Sequence, residues 1–353
     1  MSLVGLRKKI DAVDKRIVSL LSARAHVSAL IGKEKRRQNK SVYSPDREKE
    51  VLEKVKALSK GAISPSAVEA IYREIMSYSL SLEKPLDIAY MGPQASFSNL
   101  AALKKFGSQV NYIPCDSISE VFQRVEKEEC DYGVVPIENS IEGAVTHTFD
   151  LLVDSELKIC SQLFLEISHN LLSKTTMNKI KEVYSNPQVF GQCRIWLQNN
   201  LPKAECVEVS STTKAAQIAA KTKNSACIAS TLAAKVYNLK ILKKDIEDTL
   251  HNITKFLVIS RTDVPATGKD RTSILFSIKD RVGALQEMLS PFRKNNLNLT
   301  KIESRPSKKK AWDYYFFVDI EGHRLDKPVA RALCELEDKC NYLKILGSYP
   351  VVD

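Results

Sequence analysis

The sequence predicts a multidomain chain: an all-helical N-terminal segment, an α/β middle, and a small α+β C-terminal unit of ferredoxin-like order. Three observations predict it. Residues 1–84 show no strand-like alternation, and their only glycines are Gly5, Gly32 and Gly61. Residues 86–262 alternate short apolar or β-branched runs with helical stretches, the pattern of an α/β fold. Residues 272–353 read strand, helix, two strands, helix, strand, the split βαβ order. At roughly 100–200 residues per domain, 353 residues suit two to four such units.

The first helix carries apolar residues at Leu6, Ile10, Val13, Ile17, Leu20, Val27 and Ile31, steps of three and four that make one seam. Arg24 falls on that seam and Lys35 continues it. A cation on an apolar stripe is costly unless it is paired or meets an anion. At 100° per residue the two lie about 20° apart in azimuth and roughly 16 Å apart in height, suited to bracketing a small dianion. Arg7 lies about 100° off that face, toward another helix or another protomer. Ser44-Pro45 opens a second helix as N-cap and first-turn proline, with Arg47 and Glu48 in its first turn. Ser64-Pro65 opens a third in the same way. Its stripe Val68, Ile71, Tyr72, Ile75, Met76 runs on into Ser79, Leu82 and Glu83, again placing polar groups on an apolar face.

In the middle, LDIAYM, YGVVPI, KICSQLFLEI and FLVIS read as strands. TDVPATGKDR, 262–271, reads as a linker. Then TSILFSI is a strand, GALQEMLSPFRKNN a helix, and NLTKIES and DYYFFVDIEG strands. The helix around VARALCELEDKC and the strand YLKILGSY close the unit.

Composition excludes several classes. With 44% hydrophobic and 27% charged residues the chain is neither disordered nor a fibre. No apolar run approaches 18 residues, and the start turns charged after six, so neither a membrane span nor a signal peptide is expected. Eight scattered cysteines without a CxxC pair suit a reducing cytoplasm rather than a disulfide scaffold or zinc ribbon. Of the net charge of +11, residues 1–84 hold +8 (18 Lys/Arg against 10 Asp/Glu) and the rest +3 (35 against 32). Such a basic segment suits a nucleic acid, an acidic membrane surface, a small polyanion, or simply water.

The segments LRKKIDAVDKRIVSLLSAR, GKEK, SPDREKEVLEKV and REIMSYSLSLE resemble the all-helical chorismate mutase domain that begins bifunctional P-proteins, the chorismate mutase–prephenate dehydratases. The resemblance implies that Arg7, acting in trans, and Arg24, Lys35 and Arg47 hold the substrate's carboxylates. Lys35 and Glu83 would reach its ether oxygen, and Glu48 and Ser79 its ring hydroxyl and a carboxylate. Ser44 stands where the family has Asp. The reaction is a [3,3] rearrangement that needs no nucleophile, metal or cofactor, only a folded substrate and stabilised charge on the breaking ether. Glu83 must carry a proton to donate there.

AYMGPQASFSNLAA, DYGVVPIENSIEGAVTHTFDLL, ISHNLL, SNPQVFGQCRIWL, SSTTKAA, ACIAS and HNITKF follow one another as in prephenate dehydratases. GPQASFS lacks the Lys and spacing of a P-loop. The resemblance implies a periplasmic-binding-protein-like pair of α/β lobes, the second at roughly 166–244, with substrate between them. It assigns Thr254 as the donor to the leaving hydroxyl, with Asn139, Ser140, Ser211, Thr212 and Lys255 as substrate contacts. Lys255 replaces the family's Arg, so charge survives and the bidentate fork is lost. His147, His169 and His251 are general acids by chemical type only.

RVGALQEML and KIESRPSKKKAWDYYFFVDIEGH resemble an ACT regulatory domain. That implies a phenylalanine site across a dimer interface, built from Gly283, Ala284, Leu285, Glu303, Ser304 and Arg305. Val282 stands where the family has Pro. The expected domains are 1–84, 85–262 and 270–353. The expected protein is a cytoplasmic homodimer or larger assembly, with chorismate and prephenate as substrates, phenylalanine as effector, and no nucleic-acid or membrane partner. Two other readings are open to the sequence. One keeps the dehydratase and makes residues 1–84 only a dimerisation arm. The other, an amino-acid-responsive regulator, needs a short helix-turn-helix, which the unbroken Leu6–Ile31 seam opposes.

Overall fold

The computed structural model describes residues 2–38, 41–249, 251–278, 281–307 and 314–351. Residues 308–313 of the last motif lie outside them. Three helices come first: α1 (Leu3–Arg37), α2 (Pro45–Leu58) and α3 (Pro65–Glu83). Ser2 caps α1 by accepting from the Gly5 amide at 3.2 Å, and Lys35, Arg36 and Arg37 meet the negative end of its dipole. Ser64 caps α3 from the Ala67 amide at 3.2 Å, whereas Ser44 holds the cap position of α2 without a side-chain bond.

The seam of α1 is present but uncovered. Only Ser28 and Gly32 of the helix are buried, and Ile10 and Leu20 are 60% and 68% exposed. The sequence implies a buried stripe; among the described residues nothing covers it, and Val27 and Ile31 near its end are still 53% and 45% exposed. Near its end α1 crosses α3 so closely that a Cβ on Gly32 would lie 2.8 Å from Glu83 Cα. That glycine sets the distance between Lys35 and Glu83.

The middle region runs β1 (Asp87–Met91), α4 (Phe97–Phe106), β2 (Asn111–Cys115), α5 (Ile118–Glu126), β3 (Tyr132–Asn139), β4 (Gly143–Ala144), α6 (Thr146–Asp154) and β5 (Lys158–Glu166). The chain then enters a second lobe: β6 (Asn170–Ser173), β7 (Glu182–Ser185), α7 (Pro187–Gln192), α8 (Arg194–Asn200), β8 (Glu205–Glu208), α9 (Thr212–Ala219), β9 (Ser225–Ala229), α10 (Thr231–Val236) and β10 (Lys240–Lys243). It returns as β11 (Ile253–Ser260), which inserts antiparallel between β3 and β5. The first-lobe sheet is ordered β2-β1-β3-β11-β5, with β4 on β3, and the second β10-β6-β9-β7-β8.

The C-terminal unit is β12 (Asp270–Ser277), α11 (Ala284–Lys294), β13 (Leu299–Pro306), β14 (Tyr314–Glu321), α12 (Lys327–Glu337) and β15 (Tyr342–Pro350), in sheet order β13-β14-β12-β15. The strand begins at Asp270, inside the stretch read as linker. Its two helices cover one sheet face. The other face joins the first lobe's core, where Leu275, Phe317, Leu346 and Tyr349 pack with Ile137, Ile159 and Leu257. Gly347 permits this: a Cβ there would lie 2.2 Å from the Ile159 carbonyl oxygen. Among the described residues no helix is long and apolar enough to cross a membrane, and all eight cysteines are free thiols.

Candidate active sites

The three N-terminal helices enclose a cavity of about 240 Å3, lined among others by Arg24, Lys35, Ser44, Arg47, Glu48, Ser79 and Glu83. Arg24 donates from Nη1 to Ser79 Oγ, tying the two anomalous stripes together. Lys35 Nζ donates to Glu83 Oε2 at 2.9 Å and to the Val42 carbonyl at 2.5 Å. The Glu83 side chain is buried, and its backbone carbonyl takes Arg36 Nη1 at 2.8 Å. Arg47 is exposed and paired with Glu50. Arg7 is outside this set. It lies 17 residues before Arg24 on one helix, about 25 Å along the axis, and does not reach the cavity of its own chain.

Several lining residues were not read from the sequence. Tyr43 Oη donates to Glu48 Oε2 at 2.6 Å, and burial, reinforced by that carboxylate, pushes the Tyr43 phenol well above its ordinary value. Arg73 stands 3.8 Å from Glu48 Oε1. Lys105 and Phe106 reach the cavity from α4 of the following domain. Lys105 was detectable by the signal that singled out Arg24: it follows buried Ala101 and Ala102 on α4 and precedes buried Phe106.

The second site is built from neutral groups. Asn139 and Thr254 are register partners at the ends of β3 and β11. Asn139 Nδ2 donates to Thr254 Oγ1 at 2.8 Å and to Asn252 Oδ1 at 2.7 Å, while its Oδ1 takes the amides of Ile141 and Glu142. Asn252 Nδ2 donates to Gln192 Oε1 at 3.2 Å, and Gln192 Nε2 donates to Glu142 Oε1 at 3.1 Å. Gln192 ends α7, so one side chain of the second lobe is bonded to the first. His169 Nε2 meets the same Gln192 Oε1 at 2.8 Å. Burial lowers the His169 pKa, against the opposing pull of Gln192 and Glu247.

The other expected contacts are placed differently. Ser140 is exposed and clamps β11, donating to the His251 carbonyl at 3.0 Å and accepting from the Ile253 amide at 2.9 Å. Its one hydroxyl proton is thereby committed. Ser211 caps α9 from the Lys214 amide, with Thr212 following, both on the second lobe. His147 bonds Ser119 at 2.7 Å on an exposed surface.

Lys255 is not brought to Thr254. Neighbours on a strand point to opposite faces, so Lys255 turns to the C-terminal sheet, with Nζ 3.1 Å from Asp319 Oδ2. Its register partner Glu138 takes Lys301 Nζ at 2.6 Å, and Lys301 is the register partner of Asp319. Four charges thus bridge the two sheets, directly behind Asn139 and Thr254. On β13, Glu303 pairs in register with Phe317 and Arg305 with Tyr315, while Ser304 pairs with Phe316 on the helix-covered side. The Arg305 guanidinium lies 5.5 Å from the Phe149 ring centroid of the first lobe. Gly283 takes φ +79° as N-cap of α11, ahead of Ala284 and the partly exposed Leu285.

Residues 6–84 match the family described as chorismate mutase type II, 88–264 prephenate dehydratase, and 272–338 the ACT domain. A bifunctional chorismate mutase/prephenate dehydratase of Aquifex aeolicus is 47% identical over 350 residues, covering 98% of this chain and 97% of the relative. One from Stutzerimonas stutzeri is 42% identical over 355 residues, covering 99% and 97%. The crystal structure of a prephenate dehydratase from Arthrobacter aurescens, in complex with L-Phe, is 33% identical with a TM-score of 0.69, covering 75% of this chain and 90% of that one.

Proposed function

We infer the roles of the individual residues from one premise: the chain belongs to the bifunctional chorismate mutase/prephenate dehydratase family. It rearranges chorismate to prephenate, then dehydrates and decarboxylates prephenate to phenylpyruvate. We assign the first step to residues 1–84, the second to 85–262 and regulation to 270–353.

In our reading the helical cavity holds chorismate. Arg24, braced by Ser79, takes one carboxylate, and Lys35 and Arg47 complete the cationic wall. Lys35 and Glu83 flank the ether oxygen, and Glu48 accepts from the ring hydroxyl, with Ser44 beside it on the wall. No bond to the protein forms, so the work is positioning and charge stabilisation. The observation that carries this reading is that seven residues scattered over 60 sequence positions line one 240 Å3 cavity. A second copy of the chain supplies Arg7 and covers the α1 seam; the exposure of Ile10 and Leu20 supports it. Mixing the Arg7→Ala and Arg24→Ala variants tests both points. Hybrid assemblies should regain mutase activity that neither variant has alone, and failure to regain it removes the in-trans role.

At the second site the ring carbon–oxygen bond breaks as carbon dioxide leaves, the electron pair of the lost carbon–carbon bond completing the aromatic ring. The departing oxygen needs a proton to leave as water. Asn139 donates to Thr254 Oγ1, which leaves the threonine's own hydrogen free to point at that oxygen. Ser211 and Thr212 are assigned to the substrate from the second lobe. Lys255 is left out of the substrate set because its charge is engaged with Asp319.

Phenylalanine is the effector in this reading, bound by residues 283–285 and 303–305 at a contact between two copies. The partly exposed Leu285 and Ile302 support such a contact, and the L-Phe in the Arthrobacter aurescens relative supports the ligand. A reducing cytoplasmic setting is supported by eight free thiols. Supplying chorismate to the purified protein and following prephenate and phenylpyruvate, with and without phenylalanine, tests the scheme. Phenylpyruvate from prephenate but none from chorismate would leave residues 1–84 a dimerisation arm.

A further inference from the structure

We propose that Lys105, carried by the dehydratase lobe, is a positioning residue of the mutase site that holds Glu48 ready for the substrate's ring hydroxyl. The inference rests on the reading of Glu48 given above. Lys105 lies on the last turn of α4, beyond residues 6–84 that match the mutase family. It lines the mutase cavity, is only 9% exposed, and places Nζ 2.8 Å from Glu48 Oε2.

The two Glu48 oxygens are treated unequally. Oε2 takes both Lys105 Nζ and Tyr43 Oη, while Oε1 has, among the described residues, only Arg73 at 3.8 Å. The Arg73 guanidinium is engaged elsewhere, with Glu69 at 2.8 Å and the Lys105 carbonyl at 3.4 Å. Oε1 is therefore the oxygen left for a hydroxyl donor. A half-buried carboxylate is costly without a close cation, and the three mutase helices supply Glu48 with none nearer than Arg73. The dehydratase lobe supplies it, and braces the phenol that shares the oxygen. Tyr43 packs on Phe106 and Tyr132 at centroid distances of 5.0 and 5.2 Å, and Ser41 Oγ lies 2.9 Å from Tyr132 Oη. The mutase pocket of this chain is thus completed across the domain boundary.

The test uses the full-length protein. Lys105→Met should lower mutase kcat/KM about 10–100-fold, the usual worth of a charged hydrogen bond, and leave dehydration of supplied prephenate unchanged. Lys105→Arg should restore most of the loss. In the Glu48→Gln background Lys105→Met should add little, because the lysine acts through the glutamate. Tyr43→Phe keeps the ring packing while removing one donor, and should cause a smaller loss of the same kind; it carries the test if Lys105→Met does not fold. An unimpaired mutase in the lysine or tyrosine variant, equal loss of both activities, or losses that multiply in the double variant would each overturn the proposal. Full mutase activity in Glu48→Ala, which lacks the acceptor oxygen that glutamine would keep, would instead overturn the reading of Glu48 beneath it.

Discussion

In the mutase cavity Arg24, Lys35, Arg73, Lys105, Glu48 and Glu83 converge, and most stand in ion pairs. Around Thr254 the hydrogen-bonding side chains are Asn139, Asn252, Gln192 and His169, with Glu142 at the edge. In our reading the difference follows the chemistry. A rearranging dianion has to be held and its developing charge met, which calls for cations and for carboxylates that orient them. A departing hydroxyl needs a donor whose direction is fixed, and neutral amides fix a hydroxyl without competing for its proton. The difference extends to assembly. The second site is closed within one chain by Gln192, whereas the first borrows Lys105 from another domain and, in our reading, Arg7 from another copy.

Separating the two sites gives the largest expected effect. Arg24→Ala should cost mutase activity about 10²–10³-fold or more, the usual price of one preorganised electrostatic donor, and spare dehydration of supplied prephenate. Thr254→Ala should do the reverse by a similar factor. Assays on each substrate separately check this. A folded variant that lost both activities would mean that the sites are not independent.

The charge quartet behind Asn139 and Thr254 gives the next effect. Lys301 belongs to the strand that carries Glu303, and Glu138 precedes Asn139. Lys301→Met should leave phenylalanine binding measurable by calorimetry yet raise the concentration needed for half-inhibition of the dehydratase. Allosteric couplings typically amount to about 5–150-fold, and the shift should lie within that range. An unchanged inhibition curve would route the coupling through other contacts.

Both regions show what a sequence carries and what it withholds. The helices, the strands and the βαββαβ order were legible because period and punctuation are local. Arg24 and Ser79 were legible because a polar group on an apolar stripe is a local anomaly. Lys105 shows the same anomaly but was unread, since only the fold brings α4 against α2. The resemblance places Lys255 in the cleft, although strand alternation opposes placing it beside Thr254 on one face. The resemblance gives Ser140 to the substrate, but its hydroxyl is spent on a backbone clamp whose partners lie over a hundred positions away. The exposed α1 seam was legible as a seam, while what covers it belongs to the assembly.

Glu83 gives a more modest prediction. A carboxyl donates to an ether oxygen only while it holds its proton, whereas an amide always donates. Mutase kcat of Glu83→Gln should therefore stay closer to that of the wild type than that of Glu83→Ala, which keeps no donor. Equal losses in the two variants, followed by chorismate consumption, would remove Glu83 from the ether oxygen and leave Lys35 as the donor there.

The smallest effect concerns the neutral network. Gln192 Oε1 is an acceptor, because the same amide donates from Nε2 to Glu142 and Oε1 also takes Asn252 Nδ2. His169 Nε2 must then carry the hydrogen, which leaves Nδ1 as a bare acceptor, buried and without a partner among the described residues. A second proton would sit on Nδ1 with nothing to receive it, in line with the burial that lowers this pKa. An unfolded histidine takes up its proton near pH 6.5, whereas the folded one resists. The unfolded state therefore binds more protons as pH falls through that value, and stability declines until the lowered folded value is passed. His169→Gln keeps a donor for Gln192 and removes the titration. Between pH 7.5 and 5.5 its melting temperature should fall less than that of the wild type. An equal fall in both proteins would show that the cleft does not depend on His169 staying neutral, and the contrast between a charged site and a neutral one would then rest on the amides alone.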